Sequence, residues 1–172
     1  YFSRNKKGEP LKAATIAIRG VGGQGNLFFG KVLAQVAFLA GYDDRNILKG
    51  ETHGMAQMGG PVISTFGCGE VFSPALVPGT ANVLIAMEKA EVLRPGFLDL
   101  LEPGGTVLMA DTRILPHGLK PEAYPSDEAI AAQLEGYRVV SVDVLSIALN
   151  LGDPKGRCAN VAMLGVLSTL PP

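Results

Sequence analysis

The chain has 172 residues, 47% of them hydrophobic and only 18% charged, with 15 Lys and Arg against 16 Asp and Glu for a formal net charge of −1. At about 150 residues per domain this length predicts one domain over residues 1–172, large enough to bury its own core. The balanced charge, without long runs of one sign, excludes nucleic-acid binding or membrane-surface binding through bulk charge. After a polar lead-in ending at Pro10, the β-branched run Ala14-Thr15-Ile16-Ala17-Ile18-Arg19 predicts a buried parallel strand. It leads into Gly20-Val21-Gly22-Gly23-Gln24-Gly25, and from there Phe29, Val32, Leu33, Val36, Ala37 and Ala40 recur at helical spacing up to Gly41.

The segment from Lys49 to Gly60 has no clean period and reads as an ordered, glycine-rich loop. Pro61–Phe66 and Glu70-Val71-Phe72, on either side of Gly67-Cys68-Gly69, predict a hairpin or bent strand pair. The alternation resumes with a strand at Val83–Met87, a helical stretch broken near Pro95, and a strand at Thr106–Ala110 after the turn Pro103-Gly104-Gly105. A proline-bearing loop from Pro116 to Pro125 precedes a short helix capped by Ser126, with Asp127 and Glu128 in its first turn and Gly136 after it. Tyr137–Asp143 reads as a further strand, and Val144–Leu151 and Ala159–Leu167 as helices. The expected fold is α/β: a mostly parallel, Rossmann-like sheet with flanking helices and a local hairpin insertion.

Cys68 and Cys158 are too few for a zinc site or iron–sulfur cluster, each of which needs about four ligands, and are expected as free thiols of a cytoplasmic protein. No run approaches the ~18 apolar residues of a membrane span. The start on Tyr1 and the end on Pro171-Pro172 suggest part of a slightly longer chain. Glycine and proline, 22 and 12 residues, exceed what a compact domain needs and call for turns, close backbone approaches or an interface.

Gly20, Gly22 and Gly25 form G-x-G-x-x-G between a strand and a helix, where small residues let backbone N–H groups and the helix dipole approach a phosphate or carboxylate. Three readings stay open: a dinucleotide site, another anionic ligand or cofactor edge, and a tight turn packed against protein. For a dinucleotide, Asp43 and Asp44 have the right distance but fall at a strand start rather than a strand end. His53 is a candidate acid or base with no evident nucleophile beside it, although Glu51 is near in sequence; it also reads as a structural, hydrogen-bonded residue. His117 reads as a loop residue, while Met55 and Met58 are either an apolar contact or ordinary packing. Glu88 follows a strand's carboxyl end, where α/β folds place ligand contacts, or starts a helix.

The ordered set Gly20-Val21-Gly22-Gly23-Gln24-Gly25, His53-Gly54-Met55-Ala56-Gln57-Met58-Gly59-Gly60, Asn82–Glu88, Leu101–Val107 and Ala159–Gly165 resembles the gamma subunit or domain of the 2-oxoacid:ferredoxin oxidoreductases, nearest their indolepyruvate (arylpyruvate) type. The resemblance covers roughly residues 14 to 168. Met58 departs from it, standing where that type usually has arginine, so any anion or partner contact made by the arginine is in question.

The resemblance implies a subunit in a coenzyme A-dependent oxidative decarboxylation of an aryl 2-oxoacid. Thiamine diphosphate, Mg²⁺ and 4Fe–4S clusters would lie on alpha- and beta-type partner subunits, and ferredoxin or a similar carrier would take the electrons. This chain would hold none of these cofactors alone, would not turn over in isolation, and would assemble the complex and border the cofactor or coenzyme A site. The residues implied at that border are Gly20, Gly22, Gly23, Gln24, Gly25, Glu51, His53, Gly54, Gln57, Gly59 and Gly60. The alternative is a stand-alone NAD(P)- or flavin-dependent oxidoreductase.

Overall fold

A computed structural model describes residues 12–53, 60–115, 118 and 120–170, with the side chains of Thr52 and His53 outside the description. The elements in chain order are β1 (Ala14–Val21), α1 (Asn26–Ala40), β2 (Ile47–His53), β3 (Pro61–Cys68), β4 (Ala81–Ala86), β5 (Leu101–Ala110), α2 (Asp127–Gln133), β6 (Arg138–Val142), α3 (Val144–Asn150) and α4 (Ala159–Leu167). They form a six-stranded sheet in the order β2-β3-β1-β4-β5-β6. The pairs β1/β4, β4/β5 and β5/β6 are parallel, whereas β3 runs antiparallel to both β1 and β2. The expected α/β sheet, mostly parallel with a hairpin at one side, is therefore present.

The hairpin is assembled differently from the sequence expectation. Its strands are β2 and β3, so residues 47–53, expected as loop from Lys49 onward, are an edge strand, and Glu70-Val71-Phe72 is no strand. Gly69, at φ 92°, turns the chain after β3. Val71 then lies over Gly67, whose added Cβ would stand 3.2 Å from it. Between β4 and β5 the expected helix is two 3-10 turns, Lys89–Leu93 and Leu98–Leu100, separated by Pro95 and Gly96 (φ 78°).

The alternation of side chains along each strand divides the core into two layers. Ile16, Ile18, Ile85 and Leu108 face one side, where they bury Phe29 and Leu33 of α1 and Met163 of α4. Ala17, Leu84, Val107 and Met109 face the other, packing with Val92, Phe97 and Ile130 of α2. Caps fix the helix ends as the sequence anticipated. Ser126 Oγ accepts from Ala129 N at 3.2 Å, and Gly41 (φ 101°) ends α1 in a left-handed conformation. Both cysteines are free, Cys68 buried and Cys158 partly exposed. Among the described residues no helix is long and apolar enough to cross a membrane.

Candidate functional site

The strand directions bring the carboxyl ends of β1, β2, β4, β5 and β6 and the start of β3 to one end of the sheet. There the chain leaves β1 toward the hairpin and leaves β4 toward β5. The crevice between β1 and β4 is thus a topological switch point, where open α/β sheets bind ligands. The loop Gly20–Gly25 lies at this place, between β1 and α1.

Local chemistry shapes the loop closely. Gln24 is turned into the protein: its Oε1 accepts from Val21 N at 2.7 Å and its Nε2 donates to the Met87 carbonyl at 2.6 Å. Its side chain therefore clasps the end of β1 to the end of β4, with one of its two amide N–H groups used in the clasp. A Cβ on Gly20 would stand 2.7 Å from Gln24 Oε1 and 2.9 Å from Asn26 Nδ2, so glycine is needed there for both amides to cross the backbone. Gly25, at φ 79°, is the N-cap of α1, and a Cβ on it would collide with the Asn160 side-chain amide of α4. Gly23, at φ 102°, sits at the exposed tip with open space around it.

Beneath the loop, α1 begins without a side-chain cap and without an acidic residue in its first turn. Its amino end therefore keeps unsatisfied N–H groups and the positive end of the helix dipole. Asn26, only 4% exposed, has neither its side-chain nitrogen nor its oxygen hydrogen-bonded. Buried amides without partners are rare in folded proteins.

Of the residues expected at the border, the structure brings two groups together. Gly22 N donates to the Gly60 carbonyl at 2.8 Å, joining the glycine loop to the segment entering β3. His53 pairs with Val62, which pairs in turn with Gly20, so the His53 backbone lies two strands, roughly 10 Å, from the loop. Glu51 is exposed on edge strand β2, opposite Ser64. Gly54, Gln57 and Gly59 lie outside the described residues, as do Met55, Met58 and His117.

A further group, of which the sequence pointed only to Glu88, lies on the α2 side of the crevice. A cleft of about 290 Å³ opens beside the loop, with Val21, Pro61 and Ile114 in its walls and Glu88, Glu91 and Tyr124 as polar lining. Glu88, 2% exposed, accepts a hydrogen bond from the Tyr124 hydroxyl and a longer one, 3.4 Å, from Ile114 N. Burial pushes its carboxyl above the ordinary glutamate value, partly opposed by the Tyr124 hydrogen bond. The Tyr124 hydroxyl is pushed up as well, first by burial and then by Glu88. Glu91 is held by Arg94 at 3.1 Å and by Arg19 at 3.3 Å, and Arg19 lies over the Phe97 ring at 5.7 Å. Only Glu88 had a sequence signal, its place just after a strand's carboxyl end. Tyr124 sits 36 residues further on, in a loop with no motif.

Among the described residues no group of three or more His, Cys, Asp and Glu could hold a metal ion. Asp43, the acidic residue a dinucleotide site would want, precedes β2 and is engaged by Arg45 at 3.0 Å. The strand it precedes belongs to the antiparallel hairpin and is not the next parallel strand of a dinucleotide fold.

Residues 15–172 match the family model described as pyruvate ferredoxin/flavodoxin oxidoreductase. Indolepyruvate oxidoreductase subunit IorB of Archaeoglobus fulgidus is 35% identical over 156 residues, covering 88% of this chain and 74% of that protein. Its counterpart in Thermococcus kodakarensis is 34% identical over 167 residues, covering 94% of this chain and 79% of that protein. Among solved structures, pyruvate oxidoreductase subunit PORC of Thermotoga maritima shares the fold with a TM-score of 0.61 at 19% identity, over 94% of this chain and 80% of that one. The 2-oxoglutarate:ferredoxin oxidoreductase of Magnetococcus marinus, solved with 2-oxoglutarate, coenzyme A and succinyl-CoA bound, matches with a TM-score of 0.64 at 20% identity, over 92% of this chain and 24% of that one. This chain belongs to the pyruvate ferredoxin/flavodoxin oxidoreductase family, as an oxidoreductase subunit.

Proposed function

We propose that the chain serves a coenzyme A-dependent 2-oxoacid:ferredoxin oxidoreductase acting on an aryl 2-oxoacid such as indolepyruvate, and that its glycine loop borders the anionic part of a cofactor or of coenzyme A. In the reaction the 2-oxoacid loses carbon dioxide, two electrons pass to ferredoxin or a similar carrier, and the acyl group joins coenzyme A. Thiamine diphosphate, bound with Mg²⁺ on partner subunits that also hold the 4Fe–4S clusters, supplies the electron sink for decarboxylation. The substrate assignment rests on the indolepyruvate oxidoreductase subunits that the chain resembles along most of its length. That a fold neighbour has coenzyme A bound supports the ligand class.

One observation carries the role of the loop: the uncapped amino end of α1, with the unpartnered Asn26 amide beneath it, faces the switch-point crevice. These groups suit an anion, because N–H dipoles and a neutral amide can surround it without competing charge. Gln24 contributes by position, fixing the loop to the end of β4. Glu88 and Tyr124 line the adjoining cleft, where burial pushes the Glu88 carboxyl above its ordinary value and so favours its neutral form. The chain alone is expected to show no turnover.

A matched pair of variants tests the loop in the assembled complex. Gly23→Asp and Gly23→Asn share size and backbone strain and differ only in charge. The aspartate should raise the KM for coenzyme A by about tenfold or more over the asparagine, with little change in kcat. Equal KM values for every anionic ligand would remove the loop from the site.

A further inference from the structure

Glu88 is a buried acid that an anion site at the glycine loop leaves without a task. The register that pairs Arg19 of β1 with Ala86 of β4 continues through the hydrogen bond from Met87 N to the Arg19 carbonyl, 2.8 Å long. It sets the Glu88 backbone beside Val21 of the loop, one strand spacing or roughly 5 Å away. Both residues line the cleft of about 290 Å³, together with Pro61, the neighbour of the Gly60 carbonyl that accepts from Gly22 N. An anion at the loop and the Glu88 side chain thus border one small space.

Neutral donors hold the Glu88 carboxyl, namely the Tyr124 hydroxyl and Ile114 N. The neighbouring cations serve other acids. On the turn after β4, Glu91 takes Arg94 at 3.1 Å and, from β1, Arg19 at 3.3 Å. Lys89 reaches Asp111 at 2.7 Å and Asp127 at 3.0 Å. In the segment before α2, Arg113 pairs with Asp127 and lies over the Tyr124 ring at 5.5 Å. Among the described residues, then, the ion pairs around the cleft do not include Glu88, and Glu91 adds a like charge to its surroundings. Burial without a cation favours the protonated form of a carboxyl, and the Glu88 carboxyl is pushed up accordingly.

We propose that Glu88 is a proton-linked gate of the glycine-loop site: a bound anion is held together with a proton on Glu88, and ionisation of Glu88 weakens the hold on the anion. The proton comes from solvent and returns to it when the anion leaves. A unit charge at roughly 10 Å, in surroundings of effective dielectric about 20, changes the affinity for a singly charged anion by about tenfold. The anion strengthens the hold of Glu88 on its proton by the same factor, since the coupling is reciprocal. Affinity is therefore constant while Glu88 is protonated, falls as pH rises between the Glu88 pKa without anion and the pKa with it, and levels off above. The inference rests on the reading above that the loop borders an anion, with coenzyme A as the anion tested.

The test is made on the assembled complex. Glu88→Gln keeps an acceptor for Tyr124 and cannot ionise. The ratio of the wild-type KM for coenzyme A to the Glu88→Gln KM is followed with pH, so that titration of coenzyme A and of His53, whose side chain lies outside the described residues, cancels. The ratio should climb by about tenfold to a plateau. Calorimetry of coenzyme A binding in buffers of different ionisation enthalpy should show up to one more proton taken up by the wild type than by Glu88→Gln, a difference that a purely structural glutamate would not produce. Tyr124→Phe removes a donor that favours the ionised carboxyl and should move the maximum of proton uptake to higher pH. If Glu88→Gln does not assemble, this last comparison decides, and identical uptake profiles of wild type and Tyr124→Phe overturn the gate. A ratio constant with pH, with equal proton uptake, overturns the gate and leaves the loop reading in place. Equal KM values for Gly23→Asp and Gly23→Asn remove the loop from the coenzyme A site, and the gate with it.

Discussion

The Gly25→Ala substitution probes how tightly the glycine loop is built. An alanine at φ 79° pays the strain of a left-handed backbone, about 1–2 kcal/mol. Its Cβ must also displace the Asn160 amide, whose Oδ1 accepts from Val161 N at 2.8 Å. Losing that hydrogen bond adds about 1 kcal/mol, for a total of about 2–3 kcal/mol. Gly23→Ala carries backbone strain alone, because a Cβ there meets nothing. For a chain of this size each kcal/mol lowers the Tm by about 2–4 °C. Thermal unfolding followed by circular dichroism should therefore show a drop of about 4–12 °C for Gly25→Ala and a smaller one, about 2–8 °C, for Gly23→Ala. In an Asn160→Ala background the added effect of Gly25→Ala should shrink to the Gly23→Ala level. Equal losses at the two glycines, or no relief from removing the Asn160 amide, would refute the close approach of α4 to the loop.

Gln24→Ala removes both hydrogen bonds of the clasp and should lower unfolding free energy in urea by about 1–3 kcal/mol. Phe29→Ala, at a fully buried core position, should lower it by about 3–5 kcal/mol, enough to make the isolated chain marginal. Glu88 gives a pH signature. Because its folded pKa lies above its unfolded one, its contribution is fully present below the unfolded value of about 4.3 and is lost as pH rises toward the folded value. Glu88→Gln keeps an acceptor for Tyr124 and should remove this loss. The stability difference between variant and wild type should grow with pH through that window, and a flat difference would count against the buried carboxyl.

Much of the fold was legible because its central strands are short apolar runs set between glycine turns. Ala14–Arg19, Val83–Met87 and Thr106–Ala110 are buried on both faces and carry the pattern of parallel strands. Edge strand β2 was not legible. It has only Ile47 and Leu48 as apolar residues, and it includes Gly50, which a strand seldom favours. The structure supplies the reason: a Cβ on Gly50 would meet Thr65 Oγ1 at 2.5 Å and Pro74 at 3.2 Å, where the chain after β3 crosses the strand. Glu70-Val71-Phe72 misled for the opposite cause, being β-prone in composition but turned back by Gly69.

At the site, the motif located the loop but not the use of its residues. Gln24 reads as a ligand contact in the sequence, and the structure adds two tertiary hydrogen bonds from its amide that the motif does not encode. The Asn160 contact with Gly25 and the pairing of Glu88 with Tyr124 are tertiary, and no local spacing encodes them. On α1 the helical spacing grouped Val36 and Ala40 with Phe29, Leu33 and Ala37, but only the last three are buried, since the sheet contacts that choose among apolar positions are tertiary.

The most direct test of the account is the activity of the co-expressed complex with and without this chain. Reduction of ferredoxin should depend on an aryl 2-oxoacid and coenzyme A, yield the acyl-coenzyme A, and be lost when the chain is omitted. Undiminished activity without the chain, or turnover with NAD(P) or a flavin by the chain alone, would contradict it.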